Sequence, residues 1–317
     1  MIEINTDDFH KLNQDEIYEH TYEVFTTRAA PEHRSLGYIS KEDEIKVVIN
    51  DEYELKIDQS SSSFNDSGKR STSQNHGTTG YVTWGASVLF TKWLMSEKSI
   101  IRLNDLADCS IVELGTGISG VIGSVIGQFC QRYIMTDQKH ILKLLKQNIV
   151  NNVNNSFTTS TIESELLKDK SSKKNTSKFG NNKKKTLKKS KDKTSYVLPS
   201  SNQIEVIDYD WEDSELTYNN VLELNDNEYP DLIFASDTIY NDFLLPFFIQ
   251  AIDLISDEHT LTFAVIQTRE QTVIESFLEI LLSKNFDCWF VPDEFLTKEL
   301  TEGYTVYILK KSAQSAN

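Results

Sequence analysis

The chain has 317 residues, 38% of them hydrophobic, and a formal net charge of −16, enough apolar material for a real core in one large domain or two small ones. No basic start leads into an apolar run, and the apolar stretch Phe243 to Ile249 is short and interrupted by Pro246, so no export signal or membrane span is expected and the protein is placed in the cytoplasm or nucleus. The charge is uneven: Lys168 to Lys193 holds twelve lysines against Asp169 and Asp192, net +10, leaving −26 on the remainder, a field that repels DNA and favours a basic protein partner.

Before residue 60, Glu44 to Ile49 and Tyr53 to Ile57 alternate around Asn50-Asp51, which predicts a β-hairpin. Ser60 to Gly77 is rich in Ser, Asn and Gly and reads as a flexible linker, so residues 1–78 are taken as an N-terminal extension and residues 79–317 as the main domain. From Gly80 the pattern changes. Tyr81, Trp84, Val88, Trp93 and Leu94 fall along one helix that Thr78 or Thr79 can cap.

Apolar strands then recur at Ser110 to Leu114, Tyr133 to Thr136, Ile204 to Ile207, Asp231 to Ala235 and Leu261 to Gln267. Helical patterns lie between most of them: Gly120 to Cys130, His140 to Val150, Asp242 to Ile255 and Gln271 to Leu282, the last opened by a Thr268–Gln271 capping box. The polar, lysine-rich stretch at about 151–202 lacks the apolar residues to pack and is expected to be a disordered insert. Such alternation predicts an α/β fold with a doubly wound, mainly parallel seven-stranded sheet, Rossmann-like. Asp287 to Val291 and Tyr304 to Leu309 have no crossover helix between them, so they are expected to close the sheet as an antiparallel hairpin at its edge.

Three widely spaced cysteines, Cys109, Cys130 and Cys288, form no C-x-x-C pair, so they read as small buried residues and no metal is expected. The clearest chemical signal is Ile111 to Gly120, a strand running into a glycine turn and then a helix. Gly115, Gly117 and Gly120 fit the G-x-G-x-x-G spacing of a dinucleotide site, and spacing alone leaves a nicotinamide cofactor open. Glu113, just before the first glycine, would repel a pyrophosphate but suits the cationic end of S-adenosyl-L-methionine. Asp137 ends the next strand, 22 residues after Gly115, and is placed to accept ribose hydroxyls of either ligand. Asp210 and Trp211 could flank an adenine, although a loop tryptophan packed on the core explains Trp211 as well. Asp237 and Tyr240 follow the fourth of these strands beside the cofactor's reactive end, with a helix cap as the plain alternative for Asp237.

Taken together, Thr79-Gly80-Tyr81-Val82-Thr83-Trp84, Glu113 to Gly120, Thr136-Asp137-Gln138-Lys139, Asp210-Trp211 and Asp237-Thr238-Ile239-Tyr240-Asn241 resemble, in order and spacing, the class I lysine methyltransferases of the methyltransferase-like 21 group. The resemblance covers about residues 75 to 310. It implies a cofactor site at Trp84, Glu113, Gly115, Thr116, Gly117, Asp137, Asp210, Trp211, Ala235 and Ser236, with Asp237 and Tyr240 as an Asp-x-x-Tyr substrate motif. It also implies S-adenosyl-L-methionine as cofactor and, as substrate, a lysine of a large-subunit ribosomal protein of the L1 type. A monomer is expected, with no membrane partner. The lysine-rich insert departs from the family's pattern. The competing readings are an NAD-dependent oxidoreductase on the same glycine turn and a non-catalytic ribosome-binding factor.

Overall fold

In chain order the strands are β1 (His10–Lys11), β2 (Glu44–Val48), β3 (Glu54–Asp58), β4 (Ser110–Leu114), β5 (Arg132–Asp137), β6 (Gln203–Asp208), β7 (Leu232–Ser236), β8 (Leu261–Gln267), β9 (Phe286–Phe290) and β10 (Tyr304–Lys311). The helices are α1 (Ile17–Thr27), α2 (Gly85–Leu94), α3 (Val121–Ile126), α4 (Leu142–Asn152), α5 (Ser214–Leu224), α6 (Leu245–Leu254), α7 (Gln271–Ser283) and the single turn α8 (Lys298–Thr301). The computed structural model describes residues 4–6, 9–29, 37–60, 80–153 and 202–312. The expected linker from Ser61 to Gly77, the caps Thr78 and Thr79, and nearly all of the lysine-rich insert lie outside the described residues.

The main sheet runs in the order β1-β9-β10-β8-β7-β4-β5-β6. β8, β7, β4, β5 and β6 are parallel neighbours, whereas β10 is antiparallel to both β8 and β9. The expected antiparallel pair is therefore present, but β10 is inserted between β8 and β9 instead of ending the sheet. The strand count rises to eight because the two-residue β1 pairs with β9. Each central strand is apolar on both sides because the two pleat faces feed two cores. In β7 and β8, Leu232, Phe234, Phe263 and Val265 pack toward α2, α3 and α4. Ile233, Ala235, Ala264 and Ile266 pack toward α6 and α7.

The predicted hairpin forms, with β2 and β3 paired at Ile45↔Ile57. It docks on α4 through side-chain amides: Lys56 and Asp58 N–H donate to Asn152 and Asn148, at 2.8 and 2.9 Å. Phe9 and the hairpin residues Ile45, Val47, Leu55 and Ile57 thus share the sheet's core, and α1 adds to this by lying against α7 and donating or accepting through His20 to Tyr307 Oη at 2.9 Å. Neither α1 nor α5 is anticipated by the sequence reading.

Several element ends differ from expectation for local reasons. The helix expected from Gly80 begins only at Gly85, because the backbone before it is already committed: Ile39 N–H donates to Thr83 O at 2.9 Å and Thr83 N–H to Gln59 Oε1 at 2.7 Å. Trp84 is its N-cap residue and no side chain caps it. The helix expected over Gly120 to Cys130 stops at Ile126, where Gly127 takes the C-cap. The Thr268–Gln271 capping box is absent. Thr268 donates to Arg28 O, Gln271 reaches Glu275 at 2.8 Å, and Glu270 is the N-cap without a side-chain bond. Among the described residues no helix is long and apolar enough to cross a membrane.

Candidate active site

A cleft opens at the carboxyl ends of β4, β5, β6 and β7, where the chain leaves β4 for neighbours on opposite sides of it. The glycine turn makes it possible. Gly115 and Gly117 have φ of +66° and +67°, a region L-residues avoid. A Cβ on Gly115 would stand 2.9 Å from Thr238 Cγ2 and 3.1 Å from Trp211 Cζ2, so the turn lies directly against both. Gly117 abuts Gly80, whose carbonyl accepts the Ile118 N–H at 2.9 Å and seats the entry segment beside the turn.

Ten of the twelve residues expected at the site line this cleft: Trp84, Gly115, Thr116, Gly117, Asp137, Asp210, Trp211, Ser236, Asp237 and Tyr240. Glu113 and Ala235 are not among its walls. β4 turns Ile111 and Glu113 to one face and Val112 and Leu114 to the other, and Glu113 points beneath the turn, where Tyr133 Oη donates to its Oε2 at 2.8 Å. Burial pushes its carboxyl up to about 8, with the Tyr133 hydrogen bond opposing. Ala235 is fully buried in the core below the cleft.

On the β5 side, Asp137 Oδ2 accepts the Gly117 N–H at 2.7 Å and Oδ1 the Gln138 N–H at 2.8 Å. Burial pushes this carboxyl up to about 6, and the two N–H groups oppose the rise. The amide of Gln138, part of the Thr136–Lys139 motif but given no role from the sequence, donates to Asp210 Oδ2 at 2.8 Å and ties the ends of β5 and β6 together. Asp210 also caps the 3-10 turn that begins at Trp211, and Trp211 packs edge-on against Phe248, ring centroids 5.0 Å apart.

On the β7 side, Asp237 has a left-handed backbone, φ +58°, and a side chain only 3% exposed. It does not cap the helix that follows. Asn241 does that, accepting from Phe243 N–H at 3.0 Å. Asp237 Oδ2 instead meets the Arg269 guanidinium, and Oδ1 is buried without a hydrogen-bond partner among the described residues. Burial pushes the Asp237 carboxyl up, while Arg269 and the Gln267 backbone N–H pull it down. Arg269 is a residue the sequence reading missed. Nothing local marks it, since it meets Asp237 only through the pairing of β7 with β8.

The donor set fits an adenosyl ligand carrying a cationic methionine end. The glycine cradle admits close backbone approach, Asp137 keeps lone pairs for two hydroxyls, and there is an unpaired buried carboxylate oxygen across the cleft. A parallel sheet whose last strand is inserted antiparallel between β8 and β9, with this cleft above β4, defines a class I S-adenosyl-L-methionine-dependent methyltransferase rather than a dehydrogenase. Residues 66–182 match the family model described as Lysine methyltransferase, and the chain is an S-adenosyl-L-methionine-dependent lysine methyltransferase. It is similar to Ribosomal lysine N-methyltransferase 5 of Eremothecium gossypii, 27% identical, covering 90% of this chain and 94% of the relative. The protein of the same name from Zygosaccharomyces rouxii is 28% identical, covering 75% and 76%. Solved structures align loosely. Aeropyrum pernix fibrillarin with natively bound S-adenosyl-L-methionine is 12% identical at a TM-score of 0.41, covering 87% of this chain and 96% of that one.

Proposed function

We propose that this enzyme transfers methyl groups to a lysine side chain of a large-subunit ribosomal protein of the L1 type, working as a monomer in the cytoplasm without engaging DNA or membrane. The ribosomal substrate is supported by the names of the relatives, and a basic protein by the charge of −26 outside the lysine-rich stretch. The observation that carries the chemistry is the buried, unpartnered Oδ1 of Asp237 on the wall of the cofactor cleft.

In this reading Gly115, Thr116 and Gly117 cradle the cofactor, Asp137 accepts its ribose hydroxyls, and Trp84, Asp210, Trp211 and Ser236 enclose it. Glu113 and Ala235 support the turn and the strand end from below. S-adenosyl-L-methionine supplies an activated methyl on a sulfonium. The attacking lysine must be neutral, yet with a pKa of about 10.4 only about 0.04% of it is so at pH 7, a deficit of roughly 4.6 kcal/mol. Partial burial in the cleft disfavours the ammonium. Asp237 then accepts an N–H of the amine and holds its lone pair toward the methyl group, while Tyr240 forms the side of the channel, and alignment supplies most of the rate gain. The proton leaves to water.

The test is methylation of isolated large-subunit ribosomal proteins with isotopically labelled cofactor, followed by peptide mass spectrometry. Asp237→Asn keeps the shape and removes the charge, so the rate should fall at least about tenfold, equivalent to about 1.4 kcal/mol, with S-adenosylhomocysteine affinity nearly unchanged. A normal rate would remove Asp237 from the chemistry, and the absence of any labelled ribosomal lysine would reject the substrate class.

A further inference from the structure

Arg269 follows β8 and precedes the N-cap of α7, with a side chain 26% exposed. Three contacts fix it. Its Nη2 meets Asp237 Oδ2, its Nε donates to Gln267 Oε1 at 2.8 Å, and its guanidinium carbon lies 4.8 Å from the centroid of the Trp84 ring. A Cβ on Gly37, φ +96°, would stand 3.0 Å from Arg269 Nη2, so the backbone there closes on the same guanidinium. Arg269 therefore joins a residue of the cofactor side, Trp84, to the acid of the acceptor side, Asp237. A planar guanidinium can stack on a ring and bond a carboxylate at once, which a flexible ammonium does less well.

We propose that Arg269 is a positioning residue for methyl transfer: by taking Oδ2 of Asp237 and bracing against Trp84, it leaves Oδ1 as the one oxygen that receives the acceptor amine. This rests on the reading of Asp237 as the group that orients that amine. The chemistry needs such a partner. An uncompensated buried carboxylate would hold the lysine as its ammonium, which has no lone pair to attack with. With Arg269 on Oδ2 the pair is close to neutral, and Oδ1 accepts an N–H without favouring the protonated amine. Burial already pushes Asp237 upward, and among the described residues Arg269 is the charged side chain that opposes this, together with the Gln267 backbone N–H. Tyr240 is the titratable neighbour on Asp237's own segment that lines the same cleft. Without Arg269, Asp237 takes up a proton nearer neutral pH and turns from acceptor into donor.

The test is the pH profile of kcat/KM for the full-length wild type, Arg269→Met, Arg269→Lys and Asp237→Asn, on a basic ribosomal-protein substrate, with S-adenosylhomocysteine titrations alongside. In the wild type, protonation of Asp237 adds a second proton dependence on the acid side, beyond that of the lysine itself. Arg269→Met should move this step up by about one pH unit or more, so that kcat/KM on its acid side falls by about tenfold relative to the wild type. Arg269→Lys should keep most of the wild-type position, Asp237→Asn should lack the step, and cofactor affinity should change by less than about threefold, under about 1 kcal/mol. An unmoved step in Arg269→Met, with Asp237→Asn impaired, overturns the role of Arg269 alone. A wild-type profile in Asp237→Asn overturns the reading beneath it. Loss of cofactor binding in both Arg269 variants also overturns the proposal, since Arg269 would then act through Trp84. Should Arg269→Met not fold, Arg269→Gln, which removes the charge and keeps a polar side chain, decides: an upward shift supports the proposal and no shift rejects it.

Discussion

Asp137 is held by two backbone N–H groups and yet keeps a lone pair on each oxygen, so its replacement separates two costs. Asp137→Ala removes both carboxylate acceptors from the cofactor ribose, and hydrogen bonds to a charged group contribute about 1.5–3 kcal/mol. Allowing for water that takes up part of the lost bonding, a weakening of about 1–3 kcal/mol follows, roughly 5- to 150-fold in Kd. The same change orphans the Gly117 and Gln138 N–H groups, now bonded at 2.7 and 2.8 Å, which costs stability of about 1–3 kcal/mol where water does not reach them. Calorimetric titration with S-adenosylhomocysteine measures the first cost and thermal melting the second. Asp137→Asn should weaken binding less than Ala and melt closer to the wild type. The carboxyl is pushed up to about 6, so the free enzyme takes a proton as pH falls through that value. Ligand hydroxyls favour the ionised form, so wild-type affinity should decline below about pH 6 and be level above it. Wild-type affinity in Asp137→Ala, or an affinity independent of pH through that range, would refute the assignment.

Gly115→Ala places a Cβ at φ +66°, 2.9 Å from Thr238 and 3.1 Å from Trp211. The left-handed backbone alone costs about 1–2 kcal/mol, and Trp211 must move, so melting temperature and S-adenosylhomocysteine affinity should both drop; unchanged values of both would show that the turn can relax. Glu113 has a folded-state carboxyl pushed from its ordinary 4.5 up to about 8, so the folded protein retains a proton that the unfolded chain has lost. That contribution is complete below about 4.5 and is lost as pH rises through about 8. Glu113→Gln keeps an acceptor for Tyr133 and cannot ionise, so its melting temperature should fall less than the wild type's between about pH 5 and about pH 8. Parallel melting curves across that range would mean that the carboxyl ionises without cost.

Much of the sheet was legible because a strand buried on both faces must be apolar throughout. β4 and β8 begin and end where the apolar runs do, and the hairpin around Asn50-Asp51 follows from simple alternation. The missed helices show the limit of that signal. α1 buries Ile17, His20, Thr21 and Val24, a helical stripe half made of polar residues that bond to α7 and β10. α5 buries only Ser214 and Val221. In the site, the glycine turn and the acids at strand ends were legible because each is a local motif. The direction of Glu113 was not, because Ile111, Val112 and Leu114 around it are all buried and no alternation tells which face it takes. Arg269 was hidden for another reason. It lies 32 residues from Asp237, and only the register of β7 against β8 brings the two together.

That register also sets two aspartates of the same cleft in different surroundings. β4 lies between β5 and β7, so the glycine turn has one acid on each side: Asp137 at the end of β5 and Asp237 just beyond β7. Asp137 is met by two neutral N–H groups and is left with an ionisation near 6, which suits the neutral hydroxyls of a ribose. Asp237 is met by a full cation on Oδ2, the Gln267 backbone N–H also favours its charged form, and Oδ1 has no hydrogen-bond partner among the described residues. An acid so compensated can accept from a neutral amine without pulling a proton onto it, and the residue that makes this possible comes from the strand on the far side of β7. In the proposed reading, the division between a cofactor half and an acceptor half thus follows from strand order, and the chemistry of each half from what each neighbouring strand places against its aspartate.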